Sequence, residues 1–199
     1  MKTDVITVSA SGKRMETALD QVEKVAAYKG LSPKNTLHLR LLTEEMMSMM
    51  RSITGEPEGE FWIEDNDGEY ALHLRVAARM NLEKRAQLLS VSASGKNEAA
   101  RGLMGRIREF FDMGCDEEYD GFSTALMPDA FEHSSSPVLD WEWSMRRYEN
   151  VVSTKMGQDA AAREAWDELE KSVVKHVADD VKVFIRGGYV EMTILKKIA

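Results

Sequence analysis

Glu60 to Val76 reads EFWIEDNDGEYALHLRV, and this stretch decides the fold class. Phe61 and Ile63, then Tyr70, Leu72, Leu74 and Val76, alternate with polar residues on either side of Asp65–Gly68. A period of two is that of a half-buried strand. Asp, Asn and Gly supply the tight-turn conformations between the two runs, so the stretch is a β-hairpin. The same sign recurs near the end of the chain, where Val181, Val183 and Ile185 are followed by Gly187-Gly188 and then by Val190, Met192 and Ile194. Strands joined by hairpins belong to a mixed or antiparallel sheet.

Around these hairpins the period is mostly helical. Asp4–Ser9 alternates and reads as a short strand. Lys13–Lys29 carries a stripe of Met15, Ala18, Leu19, Val22, Val25 and Ala26, closed by Gly30 where a left-handed residue is wanted. Ser32-Pro33 is a cap followed by proline at the first helical position. A second helix then runs from Pro33 to Ile53, with Leu37, Leu41, Leu42, Glu45, Met49 and Ile53 at helical spacing. Further helices are expected over Asn81–Leu89, Glu98–Met113 and Ala160–Val177, with an irregular stretch over Asp116–Pro137. Leu139, Trp141, Trp143 and Met145 alternate as in a strand, while Trp141, Met145, Tyr148 and Val152 fit a helix; the pattern leaves both open. The expected fold class is α+β: a two-layer sandwich whose mixed or antiparallel sheet is covered by helices on one face. Its parts are a core over 1–113, an irregular insertion or arm over 114–160, and a helix plus hairpin over 161–199 that completes the same domain.

Bulk properties exclude several classes. A net charge of −8 disfavours coating DNA or RNA, which needs a basic surface. No apolar run approaches the ~20 residues that span a bilayer, and the first residues, MKTDVITVSASGKR, are too polar for a secretory signal. A single cysteine, Cys115, permits no intrachain disulfide and has no neighbouring base. The expected location is the cytoplasm. His38, His73, His133 and His176 are scattered without zinc spacing, and Asp65–Gly68 lacks the remaining ligands of a calcium loop.

The string VSASGK occurs twice, at Val8–Lys13 and Val91–Lys96. A Walker loop needs glycine five places before the GK pair and Ser or Thr after it. Those places hold Thr7 and Arg14 in one copy, Ser90 and Asn97 in the other, so neither is such a loop.

The element order and the strings YKGLSPKN and LHLRLLTEEMMSMM resemble the GHKL superfamily of histidine-kinase-like ATPases, closest to anti-sigma-factor serine kinases. The likeness covers residues 4–113 and implies a Bergerat-like fold. It implies a glutamate on the second helix with an Mg²⁺-holding asparagine four residues later. Glu45 matches the catalytic glutamate, but Met49 stands in the asparagine place; taking Glu44 instead puts Ser48 there. The family's adenine-binding Asp-x-Gly falls on Ala78 and Met80. Its glycine-rich phosphate lid is best kept, in SASGKNEAARGLMGRI, with Ser94, Gly95, Lys96, Asn97, Gly102, Gly105 and Arg106.

An alanine cannot replace the carboxylate that grips adenine, a loss of about 1.5–3 kcal/mol. The resemblance therefore implies an anti-sigma-like regulatory protein that acts by binding protein, with an eroded nucleotide pocket and weak or lost ATP and Mg²⁺. The alternative is a functioning ATP-binding protein or serine kinase. The implied partners are a protein and a second copy of the chain, not nucleic acid or membrane. Plainer readings stand beside these. Glu45 can pair with Arg40 or Arg51; Met46, Met47, Met49 and Met50 can be core or an adaptable partner surface; and Lys96, Arg101, Arg106 and Arg108 can simply be solvated.

Overall fold

The structure is a computed structural model that describes residues 1–9, 13–54, 58–77, 141–157, 160–186 and 189–198. The described elements are β1 (Ile6–Ser9), α1 (Lys13–Tyr28), α2 (Pro33–Thr54), β2 (Glu58–Asn66), β3 (Glu69–Ala77), β4 (Trp141–Ser144), α3 (Met145–Lys155), α4 (Ala160–Glu170), α5 (Val173–Val177), β5 (Asp180–Arg186) and β6 (Tyr189–Lys197). The six strands form one sheet in the order β1-β2-β3-β6-β5-β4, and every described pairing is antiparallel. The class is α+β.

The two hairpins meet at the centre. β3 pairs with β6 from Glu69↔Lys197 to Ala77↔Tyr189, which joins the two ends of the chain in one sheet. Phe61, Ile63, Leu72, Leu74, Val181, Val183, Met192 and Ile194 line one sheet face and share a single buried cluster with Val22, Leu39, Met46, Tyr148, Val152 and Leu169 of the helices. The period-two pattern thus ends in burial on one side, as a sheet with helices on that face requires.

Local signals do what their chemistry asks. Asn66 lies opposite Glu69, with Asp67 at φ 52° and Gly68 at φ 90° between them. Two positive φ values make the tight turn whose twist matches the strands. Gly68 has a second reason to be glycine: a Cβ there would sit 2.7 Å from the Ile198 carbonyl oxygen. The Ile198 N–H also donates to the Gly68 carbonyl at 2.8 Å. Gly30, at φ +64°, ends α1 with paired bonds from Leu31 N–H to Ala26 O and Gly30 N–H to Ala27 O, the six-to-one and five-to-two pattern of a left-handed helix cap. Ser32 Oγ accepts from Asn35 N–H at 3.3 Å and starts α2.

Elsewhere the structure departs from the reading of the sequence. Over Trp141–Val152 the sequence pattern left strand and helix both open. Both patterns left open there are used in succession, a strand through Ser144 and a helix from Met145. The helix expected over Ala160–Val177 is two, α4 and α5, parted at Lys171-Ser172 with Ser172 in extended conformation. On α2 the buried stripe is Leu39, Leu42, Thr43, Met46, Met47 and Met49, while Leu37 is 54% exposed. Apolar residues occur on more than one face of this helix, and the sheet selects which face is buried. The helices expected over 81–89 and 98–113 lie outside the described residues.

Candidate functional site

α2 crosses the sheet against β3 and β6, and three of the expected nucleotide-site residues lie on it. Met49 is 2% exposed, packed into the core with Met46 and Met47. Ser48 points to solvent and Glu45 is half-buried. Their separation follows from the helix: at 100° per residue Ser48 and Met49 turn to different sides, with Glu45 on the boundary between them. Glu45 forms no salt bridge with another described residue; Arg40, one of its two expected partners, pairs with Glu23 of α1, and the side chain of the other, Arg51, lies outside what the structure describes. Ala78, Met80, Ser94, Gly95, Lys96, Asn97, Gly102, Gly105 and Arg106 lie outside the described residues. No group of three or more His, Cys, Asp and Glu among the described residues is arranged to hold a metal ion.

The solvent side of α2 carries a second feature. Leu31, Pro33, Thr36, Leu37, Arg40, Leu41 and Glu44 line an open groove of about 510 Å³. Its polar groups are largely committed within the chain. Thr36 Oγ1 donates to the Ser32 carbonyl at 3.1 Å and Arg40 to Glu23. What the groove offers is mostly hydrocarbon.

The opposite sheet face is polar and tightly knitted. Trp62 stacks on His73 with ring centroids 4.8 Å apart and planes 2° from parallel. Lys2 and Arg75 lie over the Trp62 ring at 5.3 and 5.8 Å, and Arg75 also pairs with Glu60. His73 Nδ1 is 3.1 Å from Thr193 Oγ1 and 3.5 Å from Glu191, with Glu64 3.9 Å from Nε2. The hydrogen bond from Lys2 is the main cause that holds the Glu64 carboxyl below its ordinary range, with help from the Trp62 indole. Alternation already put Trp62 and His73 outward; their stacking depends on the Trp62↔His73 register.

An ion pair with one buried partner ties this sheet to the end of α1. Asp65, 2% exposed, pairs with Lys29 and accepts from Gly68 N–H at 3.1 Å. The Lys29 hydrogen bond pulls the Asp65 carboxyl below the usual carboxylate range, against the upward push of burial. On α2, burial above all pushes the His38 imidazole down, aided by the charges of Lys196 and Lys34. No helix among the described residues is long and apolar enough to cross a membrane.

No protein-family model, no curated protein and no solved structure matches the chain.

Proposed function

We propose that the protein is a regulator built on a histidine-kinase-like ATPase scaffold, anti-sigma-factor-like, that acts by binding protein and has lost nucleotide chemistry. One observation carries this reading: Met49, in the place where the scaffold needs an oxygen for Mg²⁺, is part of the hydrophobic core. A thioether is a soft, weak donor and a poor ligand for a hard cation. The neighbouring oxygen, on Ser48, faces solvent on another side of the helix. Without the metal the phosphate charge is not neutralised, and phosphoryl transfer loses its main electrostatic support. The open apolar groove on α2 supports action through protein contact.

Titration with ATP and Mg²⁺, followed by calorimetry and by thermal melting, tests the reading. The expected result is no saturable heat and no shift at millimolar ATP. A ligand at a hundred times its Kd would add about 2.7 kcal/mol of stability. Such a shift would replace this reading with that of a working ATP-binding protein or serine kinase.

A further inference from the structure

On α2, Lys34, Leu37, Leu41, Glu44 and Ser48 follow one another at spacings of three and four. That is the spacing of a seam on one helix face. It lies opposite the buried stripe of Leu39, Leu42, Met46 and Met49. Leu37 is 54% exposed at its centre, and with Leu31, Pro33 and Leu41 it forms the apolar part of the groove. The two charges that bracket the leucines have opposite sign. Neither Lys34 nor Glu44 forms a salt bridge with another described residue.

We infer that this face is a two-fold interface and that its occupant is a second copy of the chain. Place a two-fold axis across α2 at the level midway between Leu37 and Leu41. The helices then run antiparallel, Leu37 meets the partner's Leu41, and Lys34 meets the partner's Glu44. The symmetry repeats each contact, so both leucine pairs and both ion pairs form together, as an isologous interface demands. By the same symmetry Ser48 falls at the level of the partner's Gly30, so the residues at that end are small. A chain with charges of one sign at both ends would repel its own copy in this arrangement; this chain attracts it. The inference rests on the reading above only in taking the groove as a protein-binding face.

Sedimentation equilibrium over a concentration series, with the full chain, tests the pairing. The native protein is expected to approach twice the 22.5 kDa of one chain. Leu37→Glu is expected to sediment as a monomer whose melting temperature no longer rises with protein concentration, as that of the native dimer does. Lys34→Glu and Glu44→Lys, each alone, turn both ion pairs into repulsions and are expected to weaken association about tenfold. Mixed with each other, these two variants restore both attractions, and the mixture is expected to associate as the native protein does. A native chain that stays monomeric overturns the inference. So does a dimer indifferent to Leu37→Glu, or a mixture no tighter than its separate components. A native melting temperature independent of concentration, with a sharp fall in Leu37→Glu, overturns it too and assigns the groove to the chain's own segments. The ATP titration, run on the same samples, reports on the nucleotide reading separately.

Discussion

At Asp65 two opposed effects meet on one carboxylate. Burial alone would favour the neutral acid, but the hydrogen bond from Lys29 outweighs it, joined by the Gly68 N–H and the Lys29 charge. The carboxyl therefore titrates lower in the folded chain than in the unfolded one. The unfolded state takes up its proton first as the pH falls. The stability that this pair contributes is complete above the unfolded value of about 4 and is lost as pH drops through the folded value. Urea midpoints measured from neutral to acid pH should fall along that limb, and Asp65→Asn should make the limb shallower. An unchanged limb would mean that Lys29 does not hold Asp65 as the structure has it. Met49 shows the opposite limit of legibility at this scale. Its absence of a ligand oxygen is plain in the sequence, but its place in the core depends on which face of α2 the sheet covers.

Elements here are held together by groups lent from one to another. α3 begins at Met145 immediately after a strand, a junction with no proline or glycine to announce it. Ser144, the residue before it, accepts the Arg147 N–H at 3.5 Å, and the other N–H groups of the first turn need acceptors from elsewhere. Asp180 of β5, 4% exposed, supplies the acceptor: Oδ1 takes the Arg146 N–H at 3.1 Å, the Val181 N–H at 2.9 Å and the Ser144 hydroxyl at 3.2 Å. Asp180→Ala should cost about 1–2 kcal/mol in chemical denaturation, the range for a lost cap that leaves buried donors behind. Hydrogen exchange should rise first at the start of α3. Exchange confined elsewhere would show that the helix is capped by other means. Nearest-neighbour signals such as Ser32-Pro33 and Gly30 were readable because cap and helix are adjacent in sequence. Asp180 was not, because 34 residues separate it from the N–H group of Arg146.

On the scale of the molecule, β3 against β6 is the joint. Nine residue pairs link a strand from the first half of the described chain to one from the last, and the buried residues on both sides form one cluster. Neither half has a core of its own to retain once that joint opens, so unfolding should be a single transition. Trp62 on β2 and Trp143 on β4, 7% and 1% exposed, report the two halves. Two variants, each keeping one of these tryptophans and replacing the other three by phenylalanine, should give each its own fluorescence signal. In each, that signal should unfold at the same urea concentration as the far-ultraviolet circular dichroism. Separate midpoints would divide the sheet into two cooperative units.

Alternation around Asp65–Gly68 and around Gly187-Gly188 was enough to derive two hairpins and the α+β class, because strand period and turn chemistry act over a few adjacent residues. Nothing local could rank the faces of α2, which has leucines and methionines on several sides. The sheet ranked them by covering Leu39, Leu42, Met46 and Met49 and leaving Leu37 in water. The candidate site follows the same division. The carboxylate of Glu45 and the thioether of Met49 are matters of residue identity. The burial of Met49, the outward turn of Ser48 and the groove beside Leu37 arise from long-range packing, in which each strand and helix is placed by partners far away along the chain.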